Sequence, residues 1–399
     1  MSVRSSQALG PGLSTPPDTV PYRWIGSGAD LAENCARWRQ HEAVALDTEF
    51  VRERSFYPAL GLVQIATPDE IALIDPKVLA DPQPLVDLLL DSRVVKVLHA
   101  GSEDLEAFRH TWDVLPDPLV DTQIAAAMAG LDWSMGYSRL VAQVCGVSLP
   151  KGHTRTDWLK RPLSEAQKRY AALDVLYLLP VWSHLRSRLE TLGRVHWLQQ
   201  DCTDLLASAR QDLDPEDAYL QIGRAKVLDR RRLAVLRALA RWREQQSRQR
   251  DLPRNFVLRE QSVAEIAQNL PATLSQLRRV KGVGPQEVRR DGETILELVR
   301  SARALPAEDL PDRIGRPLDL APHAATVKAL RLRVNEISSD LGVPSVLLSN
   351  KRTIEALTRR FLTRSRPLLP ATLRGWREDV VAADLVATLE AEFETRIDG

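Results

Sequence analysis

The segment Val44-Ala45-Leu46-Asp47-Thr48-Glu49-Phe50 constrains this chain more than any other. Its apolar start and the turn-bounded apolar runs that follow predict a central β-strand. Successive side chains of a strand alternate, so Asp47 and Glu49 share one face. An acid pair at this spacing is also common on solvent-facing edge strands. Set in an apolar run, however, unpaired carboxylates are costly, and the setting points to chemistry.

Two further acids stand in similar surroundings. Val94–Leu98 reads as a buried strand, and Ser102 is expected to cap a helix starting at Glu103, which puts Asp104 in its first turn. Alone, such an acid is a partner for the helix dipole. Residues 164–190 read as a helical region whose Ser164 and Gln167 form a capping-box signature. Tyr170 and Asp174 lie four apart there, on one face and about 5–6 Å from each other. Converging carboxylates raise one another's pKa, and hard divalent cations such as Mg²⁺ or Mn²⁺ relieve the repulsion. Two ions about 3.5–4 Å apart can activate a water and stabilise the leaving oxygen of a phosphodiester. Tyr170 is placed to orient that water. No organic cofactor is called for.

The rest of the chain divides by pattern. With 399 residues it exceeds a single ordinary core. Residues 1–20, rich in Ser, Pro and Gly, read as a disordered tail. Val44–Leu46, Leu62–Ala66 and Ile71–Ile74 suggest an antiparallel meander, after which helices and strands alternate, so residues 21–205 form an α/β domain with a mixed sheet. Residues 224–305 form a small all-α domain, with helices over 263–270, 274–280 and 293–299. A Pro-rich linker, 306–322, leads to a second small helical domain, 323–399. There Asn350, Lys351 and Arg352 read as a solvated helix start, with contact to RNA as the alternative. No run of about 18 apolar residues would span a membrane, and Cys35, Cys145 and Cys202 suggest neither disulfides nor zinc but a reducing cytoplasm.

Charge is distributed unevenly. The net charge of +1 conceals 21 basic and 30 acidic residues in 1–223, 19 and 9 in 224–303, and 14 and 14 in 304–399. A middle segment at +10 beside an acidic module suggests that it meets a polyanion. Arg254 and the turn Lys281-Gly282-Val283-Gly284 are its candidate contacts. Backbone N–H groups at Gly282 and Gly284 could face phosphate, or the segment could be a plain helix–helix turn.

Ala45-Leu46-Asp47-Thr48-Glu49-Phe50, Val97-Leu98-His99-Ala100-Gly101-Ser102-Glu103-Asp104 and Tyr170-Ala171-Ala172-Leu173-Asp174 resemble the three motifs of the DEDD exonuclease superfamily. With Arg169 and Tyr170 the chain is similar to the superfamily's Tyr branch. Asp121-Thr122-Gln123 and Lys151–Trp158 resemble stretches of ribonuclease D, and 224–305 resembles the helicase-and-RNase-D C-terminal (HRDC) domain. The resemblance implies a ribonuclease H-like fold followed by two helical domains. It also implies a 3′→5′ exoribonuclease that releases 5′-monophosphates and trims tRNA precursors, working as a monomer in the cytoplasm. Asp47, Glu49, Asp104 and Asp174 would hold the metals and Tyr170 would assist. The rivals are a DNA exonuclease of proofreading or Werner type and a non-catalytic RNA-binding adaptor. No GxxxxGK[ST] loop supports a helicase.

Overall fold

Alternation along Ala43–Val51, β2, builds the middle of the sheet. Val44 and Leu46 are fully buried and pack with Leu31, Trp38, Ile65 and Phe108, leaving Asp47 and Glu49 for the opposite face. The other strands are β1 Arg23–Ile25, β3 Ala59–Ala66, β4 Ile71–Ile74, β5 Val95–Leu98 and β6 Leu119–Asp121. Their order is β1-β4-β3-β2-β5-β6. β3 and β4 run antiparallel, whereas β2–β5 and β5–β6 are parallel, so the sheet is mixed. β1 and β6 are three residues each, too short to leave a period-2 signal.

The computed structural model describes residues 14–150, 156–315 and 317–394. Residues 1–13 of the expected tail and Lys151–Arg155 of the Lys151–Trp158 stretch lie outside these. Residues 14–20 depart from the expected disorder. Ser14 pairs with Val147, Arg169 donates to the carbonyls of Pro17 and Asp18, and Val20 is buried. These partners are distant in sequence, which is why local composition misreads the segment.

Two compact units divide the chain. One comprises residues up to Phe50, Leu60–Arg210 and the chain from His323 on; the other comprises Val51–Ala59 and Gln211–Pro322. The separate domain expected at 323–399 is therefore corrected. Leu330, Val334, Leu357, Leu385 and Leu389 join Met128, Leu185, Leu189, Trp197 and Leu198 in one core. Trp376 stacks on Trp197 with centroids 4.3 Å apart, and its indole N–H donates to Asp201 at 2.8 Å. Arg377 grips both oxygens of Asp201, and Arg194 ties the carbonyl of Met128 to that of Leu341. Helical periodicity marks an apolar face without saying which surface covers it.

In the second unit, helices Arg230–Gln249, Glu260–Asn269, Leu274–Arg278 and Pro285–Ala304 enclose a core containing Leu233, Leu236, Ile266, Leu277 and Ile295. The last helix starts at Pro285, eight residues before its sequence-predicted start, because proline suits a first helical turn. Much of this unit's positive charge is used internally. Arg230, Arg231 and Arg232 donate to main-chain carbonyls of Leu310, Leu305 and Gln268. Arg250 and Arg290 meet on Asp291.

Candidate active site

Strand β2 and the helix Glu165–Leu176 bring three carboxylates together. One oxygen each from Asp47, Glu49 and Asp174 lies within 4.8 Å of the others. The helix is fixed at its start by a complete capping box between Ser164 and Gln167, as expected. Just before it, Arg161 binds both oxygens of Asp75 and the carbonyl of Gly61. A Cβ at Gly61 would sit 2.7 Å from the carbonyl oxygen of Trp158, so only glycine admits this approach. Trp158 in turn lies 6.2 Å from the Tyr170 ring, and the Tyr170 hydroxyl donates to Asp174 one turn further on.

Asp104 reaches the cluster differently. It is buried in the first turn of the helix Ser102–Trp112 and accepts a hydrogen bond from the Thr48 hydroxyl. Asp104 is close enough to raise the pKa of both Asp47 and Glu49, yet it is not one of the three mutually close ligands. The expected Ser102 cap is corrected: the cap position is Gly101, without a side-chain bond. Asp121 instead accepts from the N–H groups of Ala100 and Gly101 at 3.0 Å, stabilising a turn in which Ala100 has φ 55°.

The electrostatics of the cluster are those of uncompensated negative charge. Burial, then the neighbouring acids, push Asp47 well above the carboxylate range and Glu49 up to about 9. Burial lifts Asp174 to about 7, against the hydrogen bond from Tyr170, and lifts Asp104 to about 6, against that from Thr48. Burial and Asp174 raise the Tyr170 phenol, so it keeps its proton at neutral pH. Among the described residues no cation pairs with any of the four acids. An all-oxygen donor set without a counter-charge fits hard divalent ions.

A pH dependence follows. Acids whose folded pKa is raised stabilise the fold fully only below their unfolded pKa, and that stability is lost as pH rises through the folded value. In EDTA the melting temperature should fall between about pH 5 and pH 8, and Mn²⁺ should restore more of it at the upper end. Lys96, held down to about 8 by burial, works in the opposite sense above that window. Thermal melts with and without Mn²⁺ check this. A metal-free melting temperature that rises over the same range would contradict it.

Residues 22–190 match the 3′-5′ exonuclease family model, and residues 232–299 match the HRDC domain model. Ribonuclease D of Pseudomonas paraeruginosa is 42% identical over 376 residues, covering 94% of this chain and 99% of that protein. The chain belongs to the ribonuclease D family. The Escherichia coli ribonuclease D sequence is 39% identical over 91% of this chain and 97% of its own length. The crystal structure of the E. coli enzyme superimposes with a TM-score of 0.87 at 38% identity, covering 93% of this chain and 99% of that one. As a member of the ribonuclease D family, the protein is a 3′→5′ exoribonuclease, a phosphodiester hydrolase. No helix among the described residues is long and apolar enough to cross a membrane.

Of the RNA contacts expected in this ribonuclease D family member, Arg254 is committed elsewhere. Its guanidinium binds both oxygens of Glu244, itself only 1% exposed, and lies 4.9 Å from the Phe56 ring. Arg248 shares that carboxylate, and Asp251 accepts from the N–H groups of Phe56 and Tyr57. Arg254 therefore holds the segment Val51–Ala59. Gly284 is the N-cap of the helix Pro285–Ala304, but a Glu287 carboxylate oxygen crowds the position a Cβ would take there, which disfavours a phosphate. Gly282, at φ 83°, makes the turn, and Lys281 is exposed. Around it Arg278, Arg279 and Arg289 are also exposed. Asn350 caps the helix Lys351–Leu362, the structural role read for it. Gly61 and Tyr137 carry no motif that marks them, and although Thr48 and Trp158 lie within motifs, only the fold reveals their contacts with Asp104 and with the Tyr170 ring.

Proposed function

We propose that this exoribonuclease removes nucleotides singly from the 3′ ends of RNA, tRNA precursors among them, using Asp47, Glu49, Asp104 and Asp174 as metal ligands and Tyr170 beside the reacting water. The convergence of three carboxylate oxygens within 4.8 Å carries this reading. Two Mg²⁺ or Mn²⁺ ions, when bound, would supply a more acidic water and offset charge on the leaving 3′ oxygen. Asp47 and Glu49, fixed on a central strand, give the cluster a rigid base. Asp174 closes it from the helix, and Thr48 sets the carboxylate of Asp104. The protonated Tyr170 hydroxyl can donate to Asp174 or turn to a water oxygen, which positions that oxygen without consuming a proton. The description of the E. coli enzyme as acting in structured RNA processing supports a folded substrate.

Exposed Arg278, Arg279, Lys281 and Arg289 are the proposed phosphate contacts of the second unit. Incubating 3′-labelled RNA and DNA with Mg²⁺, with and without EDTA, tests the substrate reading. RNA should shorten from its 3′ end to 5′-monophosphates only when metal is free. Equal digestion of DNA would favour the proofreading-type alternative, and binding without digestion the adaptor. Repeating the assay in rising salt with those four cations replaced by alanine tests the contacts, because phosphate neutralisation sets the salt slope.

Tyr170→Phe separates positioning from binding. Turnover should fall about 10- to 100-fold with KM for RNA nearly unchanged, since the contact is made chiefly in the transition state. Steady-state kinetics on a short oligonucleotide measures both. A rise in KM alone would make Tyr170 a substrate contact.

A further inference from the structure

The helical region that carries Asp174 is broken immediately after it. One helix ends at Leu176 and the next starts at Leu178, with Tyr177 between them at φ −103° and ψ 0°. In an unbroken helix the Tyr177 N–H would donate to the carbonyl of Leu173, four residues back. Here the Tyr137 hydroxyl occupies that bond. It donates to the Leu173 carbonyl at 3.2 Å and accepts from the Tyr177 N–H at 3.1 Å. A side chain inserted into the helical ladder is an established cause of a sharp bend.

We infer that Tyr137 is a positioning residue for Asp174, its hydroxyl wedged into the helix at the turn that carries this carboxylate. Leu173, whose carbonyl it holds, is the residue directly before Asp174. Tyr137 is itself held. It opens the helix Tyr137–Cys145 and its ring lies 5.6 Å from that of His99, which bonds to Thr122 beside the Asp121 turn. One phenol thus connects the element bearing Asp174 to the elements that place Asp104. Tyr137 touches neither substrate nor metal in this scheme. The inference rests on the reading of the acids as a metal site.

Tyr137→Phe keeps the ring and deletes the wedge, allowing Leu173 and Tyr177 to bond directly and turning Asp174 away from Asp47 and Glu49. Groups that orient metal ligands cost about 10- to 100-fold in metal affinity or activity when removed, and a loss in that range is expected here. Mn²⁺ affinity, read from free Mn²⁺ by electron paramagnetic resonance, and kcat should both fall, while KM for RNA stays within about twofold. Val334→Ala, in the core far along the chain, controls for general destabilisation; it should melt earlier but bind Mn²⁺ normally. Asp174→Asn should abolish one Mn²⁺ site. If wild-type protein takes up no Mn²⁺, the metal-site reading falls and this inference with it. If the wild type binds and Tyr137→Phe binds and turns over equally, this inference alone is overturned. Should Tyr137→Phe not fold, hydrogen exchange of the Tyr177 amide in the unaltered enzyme decides. By linkage, Mn²⁺ should slow that exchange, and an unchanged rate would overturn the coupling.

Discussion

Asp47→Ala and Asp174→Asn will each lower turnover by about 1000-fold or more, since the lost charge stabilisation is worth several kcal/mol and each 1.36 kcal/mol is tenfold in rate. RNA affinity will not fall with it, because deleting a carboxylate removes a negative charge from a site that must accept a polyanion. The same substitutions should stabilise the metal-free protein. Asp47 and Asp174 repel their neighbours and are desolvated, so the fold gains when either charge is removed. Activity and melting temperature should therefore move in opposite directions in EDTA-treated protein. That opposition distinguishes a metal site from a structural polar network, where loss of a member lowers both. Near-normal turnover in either folded variant would refute the assignment. A fall in melting temperature with loss of activity would instead make the acids structural.

Three of the candidate site acids are legible in the sequence because each breaks a pattern the chain otherwise keeps. Asp47 and Glu49 interrupt the run that becomes β2, and Asp174 stands among Ala171, Ala172, Leu173 and Val175, all buried. Tyr170 and Asp174 are joined by helical geometry alone. Contacts that depend on tertiary approach leave no such trace. Thr48 reaches Asp104 across 56 positions, and Tyr137 reaches Leu173 across 36. Charge is a weaker guide for a different reason. A count of arginines in 224–303 cannot distinguish Arg254, bound to a buried glutamate, from exposed Arg278. The surplus in that segment supports polyanion binding only through the residues whose charge is not already neutralised or bonded to main-chain carbonyls.

Ending the chain at Pro322 will give a protein that does not fold cooperatively. Read from the sequence, residues 323–399 form a separate small domain; the core they share with the first unit reverses that expectation. Deletion would strip Leu330, Val334, Leu357, Leu385 and Leu389 from Met128, Leu185, Leu189 and Leu198, and would uncover Trp197. Fully burying each such side chain contributes about 1.5–3 kcal/mol, so a handful rivals the roughly 5–15 kcal/mol by which domains are stable. Asp201 would also lose the Trp376 and Arg377 donors, and Arg194 one of its two carbonyls. Trp376→Ala is the graded version of the same test. It should cost about 3–5 kcal/mol, the usual range for a buried aromatic replaced by alanine, with the full chain still folded. Urea denaturation followed by circular dichroism measures both. A truncated chain that stays monomeric and melts cooperatively within about 5 °C of the full-length protein would show the terminal helices to be dispensable. In that case the core they share with Trp197 contributes little to holding β6 and the helices behind the acids in place.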